Sequence, residues 1–199
     1  MVVGESTEHI EKVLALTGFD YSVKLSSWEE SYALARTQKN TLIYSIVRTP
    51  IREKYFHWFC PIAKPITQSI YRLSSNENIV ITDQKDFANY SFSIMRGTFS
   101  QKILFELGVI EGENLQLVAT SDRNLKMLLL KRVDLIVEAD NAIYAMLKEN
   151  KLPVEHIKKI YSFPDNEGGE LCMALNIQTS STIVDNIRSS HEKVLLMAK

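Results

Sequence analysis

The stretch Tyr44-Ser45-Ile46-Val47-Arg48-Thr49-Pro50-Ile51-Arg52-Glu53-Lys54-Tyr55-Phe56 places two arginines at the exit of an apolar strand. Residues 41–47 read as buried β-structure, because Leu42, Ile43, Ile46 and Val47 are aliphatic and Asn40 supplies a turn residue before them. Thr49-Pro50 ends the strand, since a residue before proline is pushed out of the helical region and Pro50 has no N–H for a ladder. Arg48 and Arg52 flank that break. An arginine fork matches a carboxylate at two points and stays charged at any physiological pH, and such a bond is worth about 1.5–3 kcal/mol net. The competing reading of Arg52 is an ion pair with Glu53 or another nearby acid, and that of Arg48 is a solvated side chain.

On the N-terminal side, Ser6 is placed to cap a helix carrying Ile10, Val13 and Leu14 on one face, with Glu8 in its first turn and Gly18 as its stop. Tyr21, Val23 and Leu25 alternate as in a strand, and Ser27-x-x-Glu30 is a capping box opening a helix through residue 36. Helix, strand, helix, strand in that order implies parallel pairing in an α/β sheet. On the C-terminal side, an extended segment over 66–73 leads into the polar run Ser74-Ser75-Asn76-Glu77-Asn78. Strands are then expected at 92–95, 115–118, 135–137 and 159–161, alternating with helices at 99–107, 124–131 and 141–149. Residues 164–169 form a loop, 171–175 a strand, and Ser180 or Ser181 caps a last helix with Ile183, Val184, Ile187 and Val194 on its buried side.

The run from the strand through Thr49-Pro50-x-Arg52 into the aromatic-rich Phe56-His57-Trp58-Phe59-Cys60-Pro61-Ile62 resembles the type II periplasmic solute-binding proteins, in the branch serving polar amino-acid ABC transporters. Arg96-Gly97-Thr98 and Arg132-Val133-Asp134-Leu135-Ile136 are later landmarks of the same resemblance, which spans the chain from about Gly4 onward. It implies a two-lobed α/β fold that closes around a small polar ligand, with lobe 1 formed by residues 1–70 plus 175–199, lobe 2 by 75–168, and hinge crossings near 70–75 and 165–175. It further implies that Arg52 takes the ligand's carboxylate and that the Gly97–Thr98 turn contributes from the second lobe. Relatives place an aspartate for the ligand ammonium at the position of Ala139, which is flanked here by Glu138 and Asp140. The family's usual first strand has no counterpart before Ser6, so the resemblance implies an incomplete first lobe and allows a strand-exchanged homodimer.

The wider candidate ligand-binding set is Arg52, Arg48, Arg96, Gly97, Thr98, Ser100, Glu138, Asp140, Trp28, Tyr44 and Trp58. Arg96-Gly97-Thr98 lies between a strand end and a helix start, where backbone N–H groups and the helix dipole favour anions, and Thr98 and Ser100 offer hydroxyls or caps. Asp140 reads equally as an N-cap. Trp28, Tyr44 and Trp58, with Tyr144, are candidates for an aromatic clamp, against the plainer alternative of core packing. Trp28 is followed by Glu29-Glu30, which puts acid beside the expected cleft. His57 reads as a structural, hydrogen-bonded residue.

At 199 residues with a net charge of −1, the chain has room for one domain or two lobes and no overall field that favours nucleic acid. No metal site, cofactor fingerprint or catalytic triad is legible, so a catalytic role has no motif behind it. Cys60 and Cys172 read as two small buried side chains, and a bridge between them requires the C-terminal strand to lie beside the first lobe. No leader is recognisable at the start, while the resemblance implies a periplasmic protein partnered by an ABC permease. The alternatives on the same fold are the sensor module of a signalling receptor and a dehydratase-like enzyme.

Overall fold

A computed structural model describes residues 4–64, 67–163 and 170–197. The chain forms two compact units, Met1–Pro65 with Gly169–Lys199, and Ile66–Gly168.

Unit 1 opens with helix α1 (Glu5–Thr17), which stops at Gly18 in the left-handed conformation as its sequence requires. Ser6 is not its cap. The N-cap position falls on Gly4, and Ser6 lies within the first turn. The alternating residues 21–25 form no ladder, and Leu25 is 82 % exposed. Helix α2 (Trp28–Thr37) is capped as expected, with the Ser27 hydroxyl accepting from the Glu30 N–H at 3.3 Å. The Glu30 carboxylate pairs with Lys24 at 2.7 Å.

Strand β1 (Leu42–Val47) follows Asn40, which takes the positive φ of 59° that its turn demands. A bulge at Ser45 (φ 56°) shifts the register so that both Ile43 and Ile46 are buried, a spacing no regular strand provides. Pro50 then opens a single turn, α3 (Pro50–Glu53), from the N1 position where its missing N–H costs nothing. Strand β2 (Phe56–Phe59) follows.

The third strand of unit 1 comes from the far end of the chain and carries the final label, β8 (Leu171–Asn176). It lies between β1 and β2 and runs antiparallel to both. The parallel pairing expected of this half is therefore overturned, because the strand that joins the other two enters from the opposite direction. The same placement brings Cys172 against Cys60 with Cα atoms 4.5 Å apart, and the two form a disulfide. Reading them as two separate buried thiols was wrong for that reason. The last helix, which closes unit 1, spans Ser181–Met197 and buries Val184, Ile187 and Val194.

Unit 2 holds a five-stranded sheet in the order β5-β4-β6-β3-β7. Its strands are β3 (Gln68–Leu73), β4 (Phe92–Met95), β5 (Leu115–Val118), β6 (Leu135–Ala139) and β7 (Ile157–Ser162). Strand β4 is parallel to β5 and β6, as the alternation of elements predicts, whereas β3 is antiparallel to β6 and β7. Helices α4 (Phe99–Glu106), α5 (Ser121–Leu129) and α6 (Asp140–Glu149) connect them. In chain order the closing helix of unit 1 is then α7. Helix α5 starts three residues before the expected 124 because Thr120 caps it by accepting from the Arg123 N–H.

Strand β6 is buried along its whole length because two cores meet on it. Leu135 and Val137 face one with Ile70, Phe92 and Leu104, and Ile136 faces the other with Tyr71, Leu125 and Ile143. The first crossing expected near 70–75 is displaced, since β3 belongs to unit 2 and the division falls between Pro65 and Ile66. The expected loop 164–169 lies outside the described residues. Strand β8 belongs to unit 1 in full, so the lobe boundary at 175 also moves.

Candidate functional site

In unit 1 the backbone break at Thr49-Pro50 sets Arg52 on α3 under the end of β1. Its Nη1 donates to the Val47 carbonyl at 2.9 Å. The guanidinium lies 5.2 Å from the ring centre of Trp28 and 5.5 Å from that of Tyr32. Those two rings are stacked, with centroids 6.0 Å apart and 13° between planes, because residues four apart on α2 share a face. Burial is the main influence on the Arg52 guanidinium and lowers its pKa, while a hydrogen bond with Tyr32 acts the other way. A half-buried cation on a double aromatic platform is held in one orientation. Tyr32 was missed in the sequence; its i, i+4 spacing from Trp28 was the signal.

Arg48 is engaged elsewhere. Its Nε and Nη2 donate to the two oxygens of Glu53, so a carboxylate of the chain itself fills its fork. Glu53 thus pairs with Arg48, not Arg52. Trp58 is 8 % exposed in a core cluster with Ile43, Ile46 and Phe56, which corrects its assignment to a ligand clamp. Tyr44 is a contact of α1, sharing a 3.2 Å hydrogen bond between its hydroxyl and that of Thr7. His57 has the structural role expected, its Nε2 lying 3.1 Å from the Ile177 carbonyl.

In unit 2 the turn from β4 to α4 holds four of the candidates. Gly97 sits at φ 74°, a conformation that favours glycine, and its N–H donates to Gln101 Oε1 at 2.7 Å. Thr98 occupies the N-cap position of α4, yet its hydroxyl donates back to the Met95 carbonyl at 2.9 Å and makes no cap bond. Ser100 is buried. Arg96 points to Glu111, with Nη2 to Oε1 at 3.2 Å.

The two acids at the end of β6 have opposite environments. Glu138 is 8 % exposed, and burial raises its pKa against hydrogen bonds from Ser121, the Ala139 N–H and Asn124. Asn124 is fully buried, donates to the Val137 carbonyl at 2.9 Å, and leaves its own oxygen without a hydrogen-bond partner among the described residues. Asp140 is not an N-cap; that position falls on Ala139. Burial works against its charge, but bonds from Lys159 at 2.8 Å and Tyr71 at 2.6 Å prevail and lower its pKa. Its carboxylate is therefore committed to the protein.

No family model matches the chain, and no curated protein matches it. Solved structures do. An ancestral arginine-binding protein bound to arginine superposes with a TM-score of 0.81 at 17% identity, covering 98% of this chain and 84% of that one. The arginine-, lysine-, histidine-binding protein ArtJ of Geobacillus stearothermophilus gives 0.77 at 17%, over 99% and 82%. A histidine kinase sensor domain with similarity to periplasmic binding proteins gives 0.79 at 14%, over 98% and 81%. The chain has the two-lobed α/β fold of the type II periplasmic binding proteins.

Proposed function

We propose that this chain binds a small polar ligand, an amino acid or a related carboxylate, and presents it in the periplasm to the permease of an ABC-type uptake system. The observation that carries the reading is Arg52, held at the end of β1 by the Val47 carbonyl and the Trp28–Tyr32 platform, on a fold that amino-acid-binding proteins share. A guanidinium oriented by its aromatic faces presents its N–H edge in a defined plane, which suits a planar carboxylate. The Cys60–Cys172 disulfide supports an oxidising compartment outside the cytoplasm. Among the described residues no helix is long and apolar enough to cross a membrane.

A second reading is the input module of a signalling receptor, favoured by the match to a histidine kinase sensor domain over nearly the whole chain. Both readings describe a binder and not an enzyme.

A thermal-shift screen over amino acids, small organic acids and amines tests the proposal. A ligand at 100 times its dissociation constant adds about 2.7 kcal/mol of stability. The expected result is a shift with carboxylate ligands that Arg52→Ala abolishes and Arg48→Ala leaves in place. Absence of any carboxylate-dependent shift, or its persistence in Arg52→Ala, would overturn it. Capture of the permease by ligand-loaded protein separates the uptake reading from the receptor reading.

A further inference from the structure

The first and last helices of unit 1 meet at a pair of histidines far apart in sequence. His9 Nε2 on α1 and His191 Nδ1 on α7 lie 2.9 Å apart, with ring centroids at 5.1 Å and an edge-on angle of 68°. His191 is 4 % exposed, whereas His9 is half-buried and lines a cavity of about 590 Å³ together with Glu5, Glu8, Lys12, Leu16, Ile62, Val194 and Met197. We propose that the His9–His191 pair is an acid-sensitive latch, which holds α1 against α7 while at least one imidazole is neutral and releases it when both take up a proton.

The chemistry follows from the imidazole inventory. A neutral ring has one donor and one acceptor nitrogen, so two neutral rings share one hydrogen bond. His191 Nε2 is buried beside the Cys60 backbone and makes no well-aligned hydrogen bond among the described residues. In the 2.9 Å contact one ring nitrogen donates and the other accepts, whichever tautomer each ring takes. His9 is the half-buried partner that lines the cavity, and so is the ring an acid proton reaches first. One added proton leaves the bond intact. A second places N–H against N–H and two cations in contact, and the junction cannot hold.

The charged groups around the pair decide the direction. On α1, Lys12 opposes protonation of His9; on α7, Arg188 opposes and Glu192 favours protonation of His191; Glu5 and Glu8 line the cavity side. The ring of Phe59 packs edge-on to His191 at 6.4 Å and adds no charge. Burial outweighs the acids, and both histidines have lowered pKa values. A depressed histidine stabilises the fold above its unfolded value near 6.5, and that contribution is lost as pH falls through the folded values. The latch therefore opens on the acid side.

Amide hydrogen exchange on the full chain at about pH 8 and about pH 5, corrected for intrinsic rates, tests this. Opening of α1 should rise by up to about tenfold per pH unit for each proton taken up, while β3 and β6 of unit 2 stay unchanged. His9→Gln keeps a donor for His191 but does not titrate, so it should retain protection at high pH and lose much of the acid dependence. Histidine nitrogen NMR should find both rings titrating below the ordinary histidine value near 6.5 and neutral at about pH 8. Equal protection of α1 at both pH values, an identical acid dependence in His9→Gln, or a charged ring at the higher pH would each overturn the latch.

Discussion

Arg52 combines two roles that a substitution separates. Its bond to the Val47 carbonyl and its seat on Trp28 and Tyr32 tie α3 to α2 and β1, so Arg52→Ala should lower the stability of the ligand-free protein by about 1–2 kcal/mol. Arg52→Lys should recover part of that stability but not ligand binding, because an ammonium cannot reproduce the planar fork. Chemical denaturation beside a ligand titration distinguishes the two losses. Glu138 makes a second residue-level prediction. Its pKa is raised by burial, so the folded state holds its proton more tightly than the unfolded one, and the ionised group costs stability as pH rises above the unfolded value. Glu138→Gln should melt above the parent at about pH 8, and the two should converge near pH 4. A Glu138→Gln variant that melts lower at high pH would show that the hydrogen bonds the carboxylate accepts outweigh the cost of burying its charge.

At the scale of elements, local chemistry was legible and partnership was not. Gly18 ends α1, Ser27 caps α2 and Thr49-Pro50 breaks β1 because each acts within a few residues of itself. Ser27→Ala should accordingly cost about 1 kcal/mol. The alternation at 21–25 is a true strand pattern, but pattern alone makes no ladder, and a strand without a partner stays an extended segment. Direction was lost in the same way, since whether β1 pairs parallel or antiparallel depends on β8, which nothing near β1 encodes. In the candidate site, the position of Arg52 was readable from the break before it. The capture of Arg48 by Glu53 was not, because Glu53 is close in sequence to both arginines and only the fold of α3 chooses between them. Burial of Trp58 and Glu138 likewise required the opposing layers. The comparisons give no support to exchange of a strand between copies.

For the whole molecule, the disulfide is the sharpest lever. Cys60 and Cys172 are separated by 112 residues, and in the chain-entropy picture closure of a loop that long restricts the unfolded state by about 4–5 kcal/mol. Reduction, or replacement of both cysteines by serine, should destabilise unit 1 by about 2–5 kcal/mol and leave exchange protection in unit 2 largely as it was. Loss of protection spread evenly over both units would show that they unfold as one.

The central place of β8 also has a consequence in time. Strands β1 and β2 each pair with β8, and β8 leaves the ribosome only after all of unit 2 has been made. Unit 2 is one uninterrupted segment and can fold during synthesis, whereas the first 65 residues must wait with the edges of β1 and β2 uncovered until the tail arrives. Through that interval β1 and β2 are exposed to aggregation and proteolysis, so the part of unit 1 made before unit 2 is the one most in need of a chaperone.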